Sequence, residues 1–379
     1  MTTYDVIVVG VGGMGSAAAY QLASRGQRVL GIERFTAGHD QGSSHGRSRV
    51  IRQAYHEHPA YVPLVLRAYE LWERAGRDTD RELLTVTGGV MVSGPDAGLV
   101  TGAQTSARQW GLPYEILDHT EVHDRFPTLT PREHEVGLYE PGTGFVRPEE
   151  SVLAHSELAA AAGADLHYEE QVTGWTATDS SVEVTTTSGR YTAGRLVFCG
   201  GAWSPQLLAE LQLPMVVERQ VMHWFDPIGG AEQFRPDRHP IYLWGETDDE
   251  LVYGFPAHDG ESTVKVAYYR RPHTCTPDDV DRTVSQAEAD EIRAFLRPRI
   301  SALGGRHVTA KTCLYTMTPD HHFVIGHHPG RPNVVVACGF SGHGFKFVPL
   351  VGEVLADLAI EGGTRHDIAL FDPTRFAAE

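Results

Sequence analysis

The stretch YDVIVVGVGGMGSAAAYQLASRG, residues 4–26, decides the fold. Its first part, Tyr4 to Gly10, is a short apolar and β-branched run, which is typical of a buried parallel strand. The part that follows is rich in Ala and predicts a helix with Gly26 as its C-terminal cap. RVLGIER, residues 28–34, predicts a second strand. Together these segments have the order and length of a βαβ unit.

The turn between the first strand and the helix, GVGGMG, matches the G-x-G-x-x-G fingerprint of dinucleotide-binding proteins. Gly10 permits a tight turn, Gly12 lets the backbone approach a pyrophosphate, and Gly15 lets helix and strand pack closely. Glu33 ends the second strand and is suited to accept hydrogen bonds from ribose hydroxyls, which disfavours a 2′-phosphate. The motif does not distinguish FAD from NAD. The predicted nucleotide-binding residues of this unit are Gly10, Gly12, Gly13, Met14, Gly15, Glu33 and Arg34.

Length, charge and cysteine content limit the function classes. A chain of 379 residues is long for one core and predicts two lobes. Its formal net charge of −17 argues against nucleic acid or an anionic membrane as a partner, so an anionic substrate needs a local basic pocket. We find no membrane-spanning run and no export signal. The four cysteines lack the spacing of a disulfide framework or a metal site, so we expect a reduced, cytoplasmic protein.

Later segments predict the rest of the architecture. RLVFCGGAWSP at residues 195–205 and NVVVA at 333–337 predict further buried strands of the nucleotide-binding lobe. Segments at 85–93 and 215–270 are rich in alternating strands and predict a second lobe built on an antiparallel or mixed sheet. A helix that opens with a capping box is predicted over 285–300.

The stretch CGFSGHGFKF, residues 338–347, joins the NVVVA strand to an amphipathic helix. A glycine-rich turn at a helix N-terminus brings backbone N–H groups close to a ligand and favours negative charge there. Lys346 lies at this end, where the helix dipole disfavours a cation unless an anion compensates it. The sequence therefore predicts an anionic ligand group beside Lys346.

The stretch GSSHGRSRVIRQAY, residues 42–55, combines a histidine and three arginines with apolar side chains. A solvated basic loop is one interpretation. Because apolar residues lie between the arginines, we expect part of it to be buried. A helix would place His45, Arg49 and Arg52 on one face, whereas a strand would separate Arg49 from Arg52, and the spacing leaves both open.

The whole set of motifs resembles the monomeric sarcosine oxidase and N-methyltryptophan oxidase family, which are FAD-dependent amine oxidases with the D-amino acid oxidase type of fold. The resemblance runs nearly end to end and is most specific in CLYTMTPDHHF and GFSGHGFKF. It implies an α/β (α+β overall) protein with a Rossmann-like FAD-binding domain and a second, mostly antiparallel β-sheet substrate domain. The expected FAD-binding segments are 1–80, 141–214 and 305–379, and the expected substrate segments are 81–140 and 215–304.

The resemblance also assigns the cofactor contacts. Cys313 matches the cysteine that carries FAD through a thioether to the 8α-methyl group; a lone cysteine is otherwise most often a small buried apolar residue. Ser44 stands where a histidine often precedes the matched His45, and we expect this change to tune the flavin environment. The flavin contacts that the resemblance implies are Gly42, Ser43, Ser44, His45, Arg49, Cys313, Gly342, His343, Gly344, Phe345 and Lys346.

The catalytic residues follow from the same resemblance. Arg52 and Lys346 would hold the substrate carboxylate, and Lys265 would promote the reaction with dioxygen. The alternative for Lys265 is a lysine that protects an edge strand. The other residues implied at the active site are Tyr253, Tyr315, His45, Arg49 and Tyr269. Tyr269 stands where sarcosine oxidases place a histidine, so a different substrate side chain or N-substituent is expected to fit.

We therefore expect an enzyme that oxidises a secondary amino acid, such as sarcosine, to an imine that hydrolyses, while O2 becomes H2O2. The expected protein is a monomer that needs no metal and binds neither nucleic acid nor membrane. Three alternatives remain: a cyclic imino acid (pipecolate or proline) oxidase, a flavin dehydrogenase with another electron acceptor, and a flavin-binding module without catalysis.

Overall fold

A computed structural model describes residues 3–247 and 250–376 of the chain. The strands of this part are β1 (Thr3–Val9), β2 (Val29–Ile32), β3 (Arg49–Ile51), β4 (Leu84–Val86), β5 (Gly89–Ser93), β6 (Glu115–Asp118), β7 (Val136–Glu140), β8 (Gly144–Val146), β9 (Asp165–His167), β10 (Val172–Ala177), β11 (Val182–Thr186), β12 (Arg190–Phe198), β13 (Val216–Asp226), β14 (Ile241–Trp244), β15 (Val252–Gly254), β16 (Val264–Tyr268), β17 (Arg306–Met317), β18 (Val324–His328) and β19 (Arg331–Cys338). The α-helices are α1 (Gly13–Ser24), α2 (Tyr61–Thr79), α3 (Gly98–Trp110), α4 (His119–Arg125), α5 (Pro148–Ala161), α6 (Ser204–Leu207), α7 (Gln286–Leu296) and α8 (Val348–Glu361).

The first sheet has a parallel centre in the order β9–β2–β1–β12–β19. At its carboxyl end Val9 pairs with Ile32 on one side and Phe198 on the other, and Phe198 pairs with Val336. These apolar strands are buried, as the sequence predicted. The segments that follow β1, β2, β12 and β19 therefore all emerge at one edge of the sheet.

Two helices cover this sheet and fix the start of the fold. α1 follows β1 after the glycine turn, and α8 packs along it. A Cβ added to Gly352 of α8 would lie 2.6 Å from the carbonyl carbon of Ala17 and 2.7 Å from its Cβ. This glycine is therefore needed for the close approach of the two helices.

The second sheet has the order β17–β13–β16–β15–β14–β5–β7–β6. Its neighbours are antiparallel except for β14 and β5, which are parallel, so the predicted mostly antiparallel second sheet is confirmed. β17 pairs with β13 along almost its whole length. The division at residue 305, which assigns β17 to the FAD-binding domain, stays a proposal, but by pairing this strand belongs to the second sheet.

A small third sheet in the order β3–β8–β4 contains part of residues 42–55, the basic stretch with His45, Arg47, Arg49 and Arg52. Residues 49–51 form a strand, so the extended alternative describes this segment. β3 pairs antiparallel with β8, and Arg52 follows directly after its end. The strand thus determines where the chain places Arg49 and Arg52.

Other local predictions can be checked directly. Ser285 and Glu288 form the predicted capping box at the start of α7, although the helix ends at Leu296, earlier than expected. The four cysteines, all in the described part of the chain, are free thiols. None of the helices among residues 3–247 and 250–376 has the length and apolar content needed to cross a membrane.

The contact between α1 and α8 generates a stability prediction. Gly352→Ala should lower the free energy of unfolding by about 1–3 kcal/mol, because the added methyl meets backbone atoms of Ala17 that cannot rotate away. This strain exceeds the gain in helix propensity, which is at most about 1 kcal/mol. Thermal melts of the purified protein measure the effect. Gly98→Ala in α3 is the matched control, since its Cβ meets nothing within 4 Å, and an equal change in both variants would contradict the assigned cause.

Candidate active site

A cavity of about 450 Å³ lies at the carboxyl edge of the first sheet. The turns after β1, β2, β12 and β19 line it, which is where open α/β sheets bind their ligands. Of the residues predicted to bind the cofactor, those in its wall are Gly10, Gly12, Gly13, Met14, Glu33, Arg34, Gly42, Ser43, Ser44, Arg49, Gly342, Gly344 and Phe345.

The glycine fingerprint forms one side of this cavity. Gly10 has a φ of +86°, and a Cβ there would lie 2.4 Å from the carbonyl oxygen of Cys199. A Cβ on Gly15 would lie 1.7 Å from the carbonyl oxygen of Gly10, so this residue packs the helix on the strand and does not line the cavity. Ser44 Oγ accepts a hydrogen bond from the N–H of Gly13 at 3.1 Å. The basic stretch is thereby joined to the N-terminus of α1.

Glu33 and Arg34 line the same cavity. The carboxylate of Glu33 accepts hydrogen bonds from the N–H groups of Val11 and Phe35, at 2.9 and 3.1 Å. Arg34 donates to Asp278 at 2.6 Å, and the indole of Trp203 donates to the same carboxylate. Arg34 is therefore held by an ion pair to the segment that follows β16.

A second, smaller cavity of about 50 Å³ shares four wall residues with the first. The shared residues are Arg49, Tyr315, Gly342 and Phe345. The remaining wall residues of the small cavity are Val50, Arg52, Leu243, Tyr253, Tyr269, His343 and Lys346. Gly342 brings these walls together, because its φ is +80° and a Cβ there would lie 2.4 Å from the ring of Tyr315. A ligand in the small cavity therefore borders directly on one in the large cavity.

Arg52 is buried, with only 2% of its surface exposed. Its Nη2 donates to both oxygens of Glu57, at 2.7 and 2.6 Å, and its Nη1 donates to the carbonyl of Ala54. Burial alone would raise the pKa of the Glu57 carboxyl, but Arg52, together with His56, His343 and Lys346, outweighs it and holds that pKa well below its ordinary value. Tyr269 also donates to Glu57, at 3.2 Å. Arg52 is thus a cation with an internal carboxylate partner.

Lys346 is the second buried cation of the small cavity, with 5% of its surface exposed. Its Nζ donates to the carbonyl of His343 at 2.7 Å and to the hydroxyl of Tyr55 at 3.2 Å. Burial lowers the pKa of Lys346 to about 7; Arg52 acts in the same direction, and Glu57 opposes them. A carboxylate that enters the cavity would favour the charged form of this lysine.

Lys265 is also buried, but it lies in the wall of neither cavity. Its Nζ donates to the carbonyls of Gly46 and Ser48, at 2.8 and 2.5 Å, and lies 4.5 Å from the ring centre of Phe255. Burial, with Arg49 next in size, lowers its pKa well below the ordinary value. Its hydrogen bonds join the second sheet to the basic stretch. Its strand, β16, lies between β13 and β15, so Lys265 is not on an edge strand and that alternative does not describe it.

Cys313 and His45 line neither cavity and lie close to Arg49, which lines both. Arg49 Nη2 is 3.5 Å from the sulfur of Cys313 and donates to the carbonyl of Ser43 at 3.1 Å. Ser43 Oγ donates to the carbonyl of Leu314, which holds the two segments side by side. His45 is fully buried, and within the described residues neither of its ring nitrogens has a hydrogen-bond partner. Burial lowers its pKa to about 3, so its ring is neutral near pH 7.

The structure adds residues that the sequence reasoning did not single out. Glu57 holds Arg52, Tyr55 contacts both Arg52 and Lys346, and Val50 and Leu243 supply apolar walls. The signal for Glu57 was its place five residues after Arg52, because an arginine buried in this part of the chain requires an anion. The role of Tyr55 depends on side-chain direction, which spacing alone does not give.

Outside the cavities, one group among the described residues has the composition of a metal site. It consists of His134, Glu135 and Glu246, whose ligand atoms lie within 4.8 Å of one another. Glu135 already accepts from the indole of Trp244, and Glu246 accepts from the N–H of Gly94. Both carboxylates are therefore partnered without an ion, and we assign this group no role.

The large cavity fits an extended dinucleotide, because the glycine turn, Glu33 and the turn after β19 all border one continuous space. The glycine fingerprint at its wall, with a cation-lined side cavity, indicates a dinucleotide-binding enzyme with an adjacent site for an anionic ligand.

Comparisons with known proteins specify this class further. The family model described as FAD dependent oxidoreductase matches residues 5–358. Over 99% of this chain and 98% of the relative, the sequence is 54% identical to the monomeric sarcosine oxidase of Streptomyces avermitilis. Over 99% of both proteins it is 32% identical to the N-methyl-L-tryptophan oxidase of Salmonella dublin. The structure of NikD, described as an unusual amino acid oxidase essential for nikkomycin biosynthesis, has a TM-score of 0.86 at 28% identity and covers 98% of each chain.

The chain therefore belongs to the FAD-dependent oxidoreductase family, in the group of the monomeric sarcosine oxidases and N-methyltryptophan oxidases. The resemblance inferred from the motifs is confirmed, and so are the fold class and FAD as the cofactor.

The buried Arg52–Glu57 pair generates a prediction about pH. Because the pKa of Glu57 is depressed in the fold, the pair stabilises the protein above pH ~4.3 and this contribution is lost as pH falls through the folded value. Glu57→Gln should therefore cost about 3 kcal/mol at pH 7 and less at pH 3. Thermal melts from pH 7 to pH 3 measure the difference between the two proteins.

Glu70→Gln is the control for this experiment, because Glu70 forms an exposed ion pair with Arg67. It should change the melting temperature little at any pH. A Glu57→Gln deficit that stayed constant down to pH 3 would show that the loss is not electrostatic.

Proposed function

We propose that this enzyme oxidises a secondary, N-methyl amino acid such as sarcosine, giving an imine that hydrolyses, and that O2 is reduced to H2O2. One observation carries the proposal: two buried cations, Arg52 and Lys346, line a small cavity that shares its walls with the dinucleotide cavity. The names of the relatives, monomeric sarcosine oxidase and N-methyl-L-tryptophan oxidase, support the same class of substrate.

The two cations suit the carboxylate of an amino acid. Lys346 uses two of its donors on His343 and Tyr55, so one N–H of the ammonium form remains for a ligand. Arg52 keeps donors beyond those it gives to Glu57 and Ala54. A carboxylate held between them would fix the rest of the substrate against the shared wall formed by Tyr315, which is a proximity effect.

The same cations favour the neutral form of the substrate amine, which oxidation requires. A positive charge near Arg52 and Lys346 is disfavoured by repulsion, so the pKa of a bound ammonium should fall. Burial raises the pKa values of Tyr253 and Tyr315 in this cavity, so both keep neutral hydroxyls near the amine. When bound, FAD accepts two electrons from the C–H bond beside the nitrogen and passes them to O2.

We also propose that Lys265 assists the reaction with dioxygen. Its carbonyl partners, Gly46 and Ser48, hold the Nζ in one place, and burial makes it sensitive to any negative charge that develops nearby. Such a preorganised cation stabilises reduced oxygen more strongly in a buried site than it would in water.

Covalent attachment of the flavin at Cys313 is a further part of the proposal. The sulfur lies 3.5 Å from Nη2 of Arg49, whose side chain lines both cavities, so the thiol is held next to the space proposed for the flavin. The neighbouring residues Leu314 and Tyr315 line the large cavity.

A cyclic imino acid, such as pipecolate or proline, is the second candidate substrate. The observation that favours it is the apolar and aromatic wall formed by Leu243, Tyr253 and Tyr269, against which a saturated ring can pack. The relatives act on N-methyl amino acids of very different size, to judge from their names, so membership of the group leaves the side chain open.

We propose that the enzyme works as a cytoplasmic monomer. Four free cysteines suit a reducing compartment, and the relative of highest identity given above is named as monomeric. A single species of about 42 kDa in size-exclusion chromatography is the expected outcome.

A substrate panel tests the reaction. Sarcosine and larger N-methyl amino acids, pipecolate and proline should each be mixed anaerobically with the holoenzyme while its flavin absorbance is followed. We expect bleaching by at least one N-methyl amino acid, and formation of H2O2 when air is admitted. Stronger bleaching by pipecolate or proline would favour the second candidate.

The same panel separates the remaining alternatives. Bleaching without peroxide, together with dependence on an artificial electron acceptor, would indicate a dehydrogenase. No bleaching by any compound would indicate a flavin-binding module without catalysis and would contradict the proposal.

Acid precipitation tests the covalent link. The pellet of the wild-type protein should stay yellow, whereas the pellet of Cys313→Ala should be colourless with its flavin in the supernatant. Cys275→Ala, which removes a partly exposed thiol elsewhere, is the control and should keep the colour. Free flavin in the wild-type supernatant would contradict attachment at Cys313.

A further inference from the structure

A chain of hydrogen bonds leads from Lys346 through Tyr55 and His343 to the carbonyl of His321. Lys346 Nζ donates to the hydroxyl of Tyr55 at 3.2 Å. The Tyr55 hydroxyl lies 2.6 Å from His343 Nδ1, and His343 Nε2 lies 2.9 Å from the carbonyl oxygen of His321. All three side chains are buried. The proposed function uses only the first member of this chain.

The carbonyl of His321 fixes the direction of every bond in the chain. A carbonyl oxygen can only accept, so His343 Nε2 must carry the hydrogen. Burial lowers the pKa of His343 to about 3, so near pH 7 the ring is neutral and its Nδ1 has a free lone pair. The hydroxyl of Tyr55 must then donate to Nδ1, and its oxygen faces Lys346 as an acceptor.

This direction determines which form of Lys346 is stabilised. An acceptor at Tyr55 stabilises the ammonium form, whereas a hydroxyl that donated to Nζ would stabilise the neutral amine. With the carbonyl of His343 as the other acceptor, two of the three ammonium hydrogens are used, and the tetrahedral geometry directs the third elsewhere. Because Lys346 lines the small cavity, this third hydrogen is available to a ligand bound there.

Tyr55 also holds the other cation of the cavity. The guanidinium carbon of Arg52 lies 4.4 Å from the centre of the Tyr55 ring, and Lys346 Nζ lies 5.0 Å from it. The ring of Tyr61 stacks on the ring of Tyr55, with 4.6 Å between the ring centres and 23° between the ring planes. The position of the Tyr55 ring therefore constrains the positions of both cations.

We propose that His343 and Tyr55 are positioning residues, which keep Lys346 charged and direct its remaining N–H toward the substrate carboxylate. This inference rests on the proposed function, because it assigns the carboxylate to Lys346. His343 acts through Tyr55, and neither residue needs to exchange a proton with the substrate. The titratable and charged groups around Lys346 that bear on its charge are Arg52, Tyr55, His56, Glu57 and His343.

The test uses the holoenzyme and propionate, a carboxylate without an amine, so that no substrate proton complicates the result. Binding is followed by the change in flavin absorbance from pH 6 to pH 9. In the wild-type enzyme the affinity should fall as pH rises through about 7, where Lys346 loses its charge. Tyr55→Phe removes the acceptor, so the fall should occur about one pH unit lower, with about fivefold weaker binding at pH 7, where the charged fraction of the lysine drops from about one half to about one tenth.

Two further comparisons distinguish positioning from packing. His343→Leu should shift the pH profile in the same direction, whereas His343→Gln, whose amide can accept from Tyr55 and donate to the His321 carbonyl, should restore the wild-type profile. These variants also provide the test if Tyr55→Phe does not fold. Tyr61→Phe is the matched control: it removes the hydroxyl of the neighbouring buried tyrosine, which bonds His322 and lies outside the chain.

The inference is overturned if Tyr55→Phe keeps the wild-type pH profile, or if Tyr61→Phe shifts it as far. A wild-type holoenzyme that does not respond to propionate at any pH would instead contradict the carboxylate site of the proposed function.

Discussion

Arg52 and Lys346 are buried against the same tyrosine ring, and the active site depends on how their charges are compensated. Removing a cation from water is costly unless hydrogen bonds and an opposite charge replace the solvent. Arg52 donates to the carboxylate of Glu57, whereas Lys346 donates only to neutral acceptors. The site therefore holds one satisfied cation and one whose charge is stabilised fully only when an anion enters.

The fold supplies these acceptors where its backbone leaves regular structure. Arg52 follows the end of β3 and donates to the carbonyl of Ala54, and Lys346 precedes α8 and donates to the carbonyl of His343. Within a strand or helix such carbonyls would be engaged in the ladder or in the helix itself. The glycine turn after β19 thus has two roles: it lets the chain approach Tyr315 closely where the two cavities meet, and it frees a carbonyl for the lysine.

The sequence predicted what depends on local pattern and left open what depends on long-range pairing. The βαβ unit, Glu33 and the capping box at Ser285 are short-range features, so their residues could be assigned directly. β17 could not be placed, because its membership of the second sheet results from pairing with β13, about ninety residues earlier. The burial of Lys346 followed from the helix dipole and the resemblance, but the Glu57 partner of Arg52 and the hydroxyl direction of Tyr55 depend on side-chain geometry that appears only in the fold.

The net charge of −17 gives the local cations a further consequence. A free carboxylate is repelled by the field of the whole protein, whereas a zwitterionic amino acid is neutral overall and approaches without this barrier. In the proposed site the two ends would be treated differently, because Arg52 and Lys346 would attract the carboxylate and repel the ammonium. The substrate can therefore enter in its abundant zwitterionic form and becomes easier to deprotonate once it is bound. On this proposal, selection of a carboxylate-bearing substrate would arise from the buried pair of cations, and not from the charge of the surface.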